Sequence, residues 1–184
     1  PYLRGVLDAY ANVEYVPAEN IDNSAIKDAE VLIIRTPTKC TPALLSGSKC
    51  KFIMTASIGI DHIDTNYCLQ HGIMWRNSPG CNAYSVAQYV LASLLLYCDK
   101  KNLTPTELTV GVVGVGNVGK AVCDYLSKVG FKLMLNDPPR AEREGSEGFV
   151  TLQEIAEQCD VITMHTPLIK EGEYPTRHLA DSNF

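Results

Sequence analysis

Gly114, Gly116 and Gly119 are spaced as a phosphate-binding turn requires. They stand between Thr109–Val113, an apolar β-branched run, and Ala121–Lys128, which has helical periodicity. In such a turn Gly114 permits the tight reversal and Gly116 lets the backbone approach a pyrophosphate. Gly119 allows close packing of helix on strand. The N–H groups that open the helix, those of Asn117 and Val118 included, then face the phosphates. An acidic residue should follow the next strand, and Asp137 ends the run Phe131–Asn136 roughly 20 residues beyond Gly119. Its carboxylate would accept hydrogen bonds from the adenosine ribose hydroxyls and repel a 2′-phosphate, which points to NAD as cofactor. Arg140 lies close enough to keep NADP as the minor alternative. A structural βαβ turn that holds no ligand is the plainer reading of the same glycines.

Other residues have chemistry-bearing types but weaker patterns. His165-Thr166-Pro167 follows Val161–Met164, and in an open parallel sheet ligands sit at the carboxyl ends of strands. Thr166 is therefore a cofactor-contact candidate. His165 has the type of a base, although a lone histidine at a strand end is more often a packed structural residue. Asp61, His62 and Asp64, with His71 beyond them, have the types of metal ligands. Acids in a helix's first turn stabilise its positive end without any ion, so no metal is assigned. The seven cysteines, Cys40, Cys50, Cys68, Cys81, Cys98, Cys123 and Cys159, contain no CxxC pair, which leaves zinc and iron–sulfur ligation without a spacing. Scattered thiols in a chain with a real core point to a reducing, cytoplasmic setting.

These residues must be positioned by a scaffold, and the chain has the material for one. Of 184 residues, 46% are hydrophobic and 20% charged, with a formal net charge of -5. The balance leaves no electrostatic footprint for nucleic acid or an anionic membrane. Val31–Ile34 and Phe52–Met54 read as short buried strands, and Gly72–Trp75 as the start of another. Thr41-Pro42 opens a helix through Leu45, with a hydroxyl before the proline. This is the β-α-β rhythm of a parallel, doubly wound sheet. Asn82 to Cys98 carries no charge, but Asn82, Ser85, Gln88 and Ser93 interrupt it. At about 17 residues it is at the short limit for a membrane span, so it reads as a long buried or interfacial helix. Asp99 to Thr106 reads as a linker, and a second β-α-β rhythm begins at Leu108. Thr151 and Glu154 form a capping box that opens the helix before Val161–Met164. Pro1 in place of Met, and the length itself, fit a fragment of a longer chain.

Gly59-Ile60-Asp61-His62-Ile63-Asp64, then Gly72-Ile73, then Ser78-Pro79-Gly80-Cys81-Asn82-Ala83 before Val86, resemble the NAD-dependent D-2-hydroxyacid dehydrogenases. The glycine turn and His165-Thr166-Pro167-Leu168 stand where that family has them, and nearly the whole chain is covered. The resemblance implies an α/β fold. Residues 1–80 would be a flavodoxin-like substrate-domain lobe, with the family's first strand expected before Pro1. Residues 81–184 would be a connecting, dimer-forming helix and the first βαβαβ half of a Rossmann dinucleotide-binding domain. Gly80–Ala83, Asp137–Ala141, and His165–Gly172 with Tyr174 and His178–Asp181 are similar to a narrower branch. That branch oxidises 4-phospho-D-erythronate at C2 in pyridoxal phosphate (vitamin B6) synthesis. Phosphoglycerate, glyoxylate and lactate-like acids are the alternatives.

Carried over by position, the resemblance implies that Thr36 and Ser57 contact substrate while Asp137 and Thr166 contact NAD. The physics suits the first pair, because hydroxyls and backbone N–H groups at strand ends can hold a carboxylate or phosphate oxygen. Arg35 and Lys39 add positive charge nearby. The implied partners are a small phosphorylated 2-hydroxy acid and a second copy in a homodimer, with no nucleic acid and no membrane. The family's catalytic arginine, glutamate and histidine follow the fourth strand of its cofactor domain. They are expected beyond Phe184, and none of Arg76, Arg140, Arg143 or Arg177 is assigned such a role. A non-enzymatic NAD-sensing corepressor is the other class of reading, and the absence of a basic patch argues against it.

Overall fold

The computed structural model describes residues 4–180 and divides the chain into two compact units, Pro1–Cys81 and Asn82–Phe184. In the first unit the strands β1 (Val31–Ile34), β2 (Phe52–Thr55) and β3 (Met74–Arg76) form a parallel sheet in the order β1-β2-β3. Helices α1 (Pro42–Leu45) and α2 (Thr65–Gln70) lie on the crossovers between them. Consecutive neighbours of this kind make up one side of a flavodoxin-like sheet. The core gathers Leu32, Ile34, Leu44, Leu45, Ile53, Ile63, Cys68 and Ile73.

The sequence predicts Val31–Ile34 as a wholly buried run, and the structure corrects this. Only Leu32 and Ile34 face the core, while Val31 and Ile33 are 54% and 47% exposed. Successive side chains of a strand point to opposite faces, and this core forms on one of them. The acid cluster also has a plain structural use. Asp64 caps α2 by accepting from the Tyr67 N–H at 2.9 Å.

The second unit begins with α3 (Ala83–Lys101), which turns Ala83, Ala87, Leu94 and Cys98 inward. It runs three residues past Cys98, into the stretch expected to be a linker. Lys100 and Lys101 suit the negative end of the helix, and Asn102 closes it in the left-handed region at φ 55. Among the described residues no helix is long and apolar enough to cross a membrane.

Strands β4 (Thr109–Val113), β5 (Lys132–Asn136) and β6 (Val161–Met164) are parallel, in the order β5-β4-β6. A dinucleotide half in the order 3-2-1 would place its third strand beyond the second. Here β6 lies on the opposite side of β4. The edge of β5 is met instead by the backbone at Val150, whose N–H donates to Leu135 O at 2.8 Å. β4 is therefore flanked on both sides, and strand order reverses at it. Helix α4 (Asn117–Val129) connects β4 to β5, and α5 (Pro138–Glu144) and α6 (Leu152–Gln158) precede β6. The capping box that opens α6 is formed: Thr151 Oγ1 accepts from Glu154 N–H at 3.1 Å, and Glu154 accepts from Thr151 N–H at 2.7 Å. Val110, Val112, Val122 and Leu126 form the centre of this unit's core. Gly111 admits α6 to the sheet, since a Cβ there would lie 2.6 Å from Ile155 Cγ2.

Candidate cofactor and substrate sites

Strand order reverses at β4, and it is outside the carboxyl ends of the strands at such a reversal that open α/β sheets bind ligands. The chain leaves β4 through Gly114, which has φ +85. A Cβ on Gly114 would lie 2.9 Å from both His165 C and Thr166 Cγ2, so the segment after β6 is seated directly on the turn. Gly116 is the N-cap of α4 and is exposed, and nothing lies within 4 Å of where its Cβ would be. Gly119 is the tightest contact. Its Cβ would lie 2.1 Å from Gly114 O. Asn117 and Val118 open α4, a helix of 13 residues whose first N–H groups have no intrahelical acceptor. An open approach at Gly116, oriented N–H donors and a helix brought hard against the turn fit a pyrophosphate.

Asp137 is tied to this turn by contacts the sequence did not disclose. Its Oδ2 accepts from Val115 N–H at 2.8 Å, and its Oδ1 accepts from Arg140 N–H at 3.1 Å as the N-cap of α5. Arg140 Nη1 in turn donates to Val115 O at 3.0 Å. Both backbone groups of Val115 are thus latched to residues that follow β5. A carboxylate has about four lone-pair sites, so Asp137 retains acceptor capacity for two hydroxyls. Arg140 is further engaged by Glu144, with Nε to Oε2 at 2.7 Å, and lies over the Phe149 ring at 5.4 Å. Its hydrogen bond holds the Glu144 carboxyl below the usual range. Asp137 followed by Pro138 and Pro139 was a helix-start signal, since an acidic N-cap before proline at N1 is a favoured opening.

Thr166 completes this cluster, half-buried against Gly114. His165 is turned to structural use: its N–H donates to Val113 O at 2.7 Å, and its Nε2 is 3.0 Å from Thr163 Oγ1. Burial pushes its pKa down, which keeps the ring neutral.

Thr36 and Ser57 belong to a second cluster, in the first unit. Ile34 and Thr55 are register partners in parallel strands, so Thr36 and Ser57 both follow the carboxyl ends of adjacent strands. Thr36 is exposed, as are Arg35 and Lys39, and Ser57 is half-buried. The turn that carries Ser57 is fixed to both neighbouring strands. Ala56 N–H donates to Ile34 O at 2.9 Å, Ser78 N–H to Ser57 O at 3.0 Å, and Asn77 Nδ2 to Ile58 O at 2.7 Å. Ser57 Oγ donates to Gly59 O at 3.1 Å and lies 2.7 Å from Thr55 Oγ1. Thr55 Oγ1 is in turn 2.9 Å from His62 Nε2. Among the described residues no group of three His, Cys, Asp or Glu side chains is placed to hold a metal ion.

The sequence profile of the D-isomer specific 2-hydroxyacid dehydrogenase catalytic domain matches residues 1–173. Erythronate-4-phosphate dehydrogenase of Bacteroides thetaiotaomicron is 51% identical over 185 residues, covering 100% of this chain and 53% of that protein. The enzyme of the same name from Porphyromonas gingivalis is 45% identical over 184 residues, covering 100% of this chain and 50% of that protein. The chain thus spans about half the length of the relatives it matches. Among solved structures, D-lactate dehydrogenase from Aquifex aeolicus, complexed with NAD and lactic acid, superposes with a TM-score of 0.70 at 27% identity, covering 92% of this chain and 58% of that one. NAD+-bound 3-phosphoglycerate dehydrogenase of Entamoeba histolytica gives a TM-score of 0.67 at 31% identity, covering 85% and 52%.

Proposed function

Because this chain belongs to the D-isomer-specific 2-hydroxyacid dehydrogenase family, we propose that it forms the NAD-binding turn and the substrate-binding lobe of an enzyme that oxidises 4-phospho-D-erythronate at C2 to the 2-oxo acid. The observation that carries the substrate is the 51% identity to erythronate-4-phosphate dehydrogenase across the whole chain. NAD, when bound, supplies the hydride acceptor. Gly116, Asn117 and Val118 present backbone N–H groups to the pyrophosphate, and Gly114 and Gly119 hold those groups in place. Asp137 accepts from the ribose hydroxyls while keeping Val115 fixed, and Thr166 closes the cleft beside Gly114. Engagement of Arg140 by Glu144 and Val115 O supports NAD over NADP, because the charge of that guanidinium is already paired with a carboxylate. Thr36 and Ser57 hold anionic oxygens of the substrate.

The carboxylate-holding arginine and the histidine base with its glutamate are assigned to no residue of this chain. The outward side chains of α3, among them Tyr84, Tyr89 and Leu96 at 66%, 75% and 63% exposure, form the surface for a second copy in a homodimer. We place the protein in the cytoplasm.

The test is NADH formation by the full-length protein with 4-phospho-D-erythronate, 3-phosphoglycerate and D-lactate in parallel. The first should have the highest kcat/KM; preference for either of the others overturns the substrate.

A further inference from the structure

Ser57 is backed by two polar side chains that have no role in the function proposed so far. Thr55 is 0% and His62 3% exposed, and they form a line of hydrogen bonds from the core to the end of β2. The direction of that line follows from counting protons. A hydroxyl has one to give. Ser57 gives its own to Gly59 O, so in the contact with Thr55 it must accept. Thr55 therefore spends its proton on Ser57 and must accept from His62 Nε2, which has to carry a hydrogen.

We propose that Thr55 and His62 are positioning residues, forming a buried donor chain from His62 Nε2–H through Thr55 Oγ1 to Ser57 Oγ that turns the Ser57 proton outward, toward an anionic oxygen of the substrate. The proposal rests on the substrate role of Ser57. When an anion arrives, the Ser57 proton swings from Gly59 O to the ligand, and the two inner bonds are kept. The opposite polarity would make Ser57 donate inward and offer only lone pairs to an anion. Donors in series also polarise one another, and a bond to a charged acceptor is stronger than one to a neutral carbonyl. Burial, and after it the charge of Lys39, holds the His62 pKa below its ordinary value. The ring is then neutral, with one protonated nitrogen, which the chain assigns to Nε2.

Two measurements on the full-length protein test this. Nitrogen-15 NMR of histidine-labelled protein at neutral pH should show His62, identified by loss of its signals in His62→Gln, as the Nε2-protonated neutral tautomer. The Nδ1-protonated tautomer overturns the chain. In kinetics, Thr55→Val should raise the KM for 4-phospho-D-erythronate by about 5–20-fold, with kcat and the KM for NAD unchanged. Thr55→Ser should restore the unmodified KM. If Ser57→Ala raises that KM and Thr55→Val does not, the chain is wrong while Ser57 keeps its role. If Ser57→Ala leaves it unchanged, the substrate role of Ser57 falls and the chain's purpose with it. Should Thr55→Val not fold, the tautomer in the unmodified protein decides.

Discussion

Replacing Gly119 by alanine isolates the contact on which the cofactor turn is built. The new Cβ would lie 2.1 Å from Gly114 O, 3.0 Å from Gly114 C and 3.6 Å from Val112 Cγ1. The first two atoms are backbone, so no rotamer change relieves the clash, and α4 must lift from the turn by about 1 Å. Overpacking of this kind costs typically ~3 kcal/mol at its upper end. Alanine's better helix propensity returns ~1 kcal/mol. The net loss is about 2 kcal/mol, or about 4–8 °C in Tm for a chain of this size. A displacement of about 1 Å at a binding centre can remove as much as 10²-fold in function, so NAD affinity should fall at least ~10-fold. Gly116→Ala is the matched control. It has open space around it, so it should cost only the ~0.5–1 kcal/mol of a poorer N-cap, yet its methyl group would stand in the approach proposed for the pyrophosphate. Differential scanning calorimetry and NAD titration of both variants decide the matter. Gly119→Ala melting with the unmodified protein would refute the contact argument. Gly116→Ala binding NAD normally would refute the placement of the pyrophosphate.

Asp137→Asn keeps an N-cap for α5 but removes the negative charge, so it should lower NAD affinity while raising NADP affinity relative to it; equal losses in calorimetric titrations would remove the ribose role. Burial pushes the Cys40 thiol from its ordinary value of 9.0 up to about 12. The unfolded chain then releases this proton first, so the contribution of Cys40 to stability should be level below about pH 9 and be lost as pH rises toward about 12. Guanidinium unfolding of Cys40→Ala should show a shallower fall, and an unchanged slope would deny that thiol its part. Tyr89→Glu places a charge on the outward face of α3 and should shift the full-length protein from dimer to monomer in analytical ultracentrifugation, with NAD affinity retained. A dimer that persists would move the interface elsewhere.

Much of this scaffold was legible because the local signals agree. Val161–Met164 has the bounds expected of it, and the Thr151–Glu154 box is formed. The family, too, could be read from short motifs. What could not be read depends on contacts between distant segments. Nothing local to Val161–Met164 says on which side of β4 it pairs, and nothing local to Val31–Ile34 says that only one face is covered. The latch on Val115 joins a turn to residues beyond the next strand, and its one sequence trace is the Asp-Pro-Pro start of α5. Thr55 carried no signal and His62 none for this pairing, since a threonine closing a strand and a histidine among acids look unrelated until they meet.

The reversed strand order also has a consequence for the timing of assembly on the ribosome. Val110 pairs with Leu133 on one side and with Val161 on the other. The unit of β4, α4 and β5, which already holds the Gly114–Gly119 contact, can form while the later residues are still being made. The seat of His165 and Thr166 on Gly114 closes only when β6 emerges, across a larger loop. Between those two moments the turn is shaped but uncovered on one side, so a cofactor bound as proposed would meet the turn before Thr166 is seated beside it.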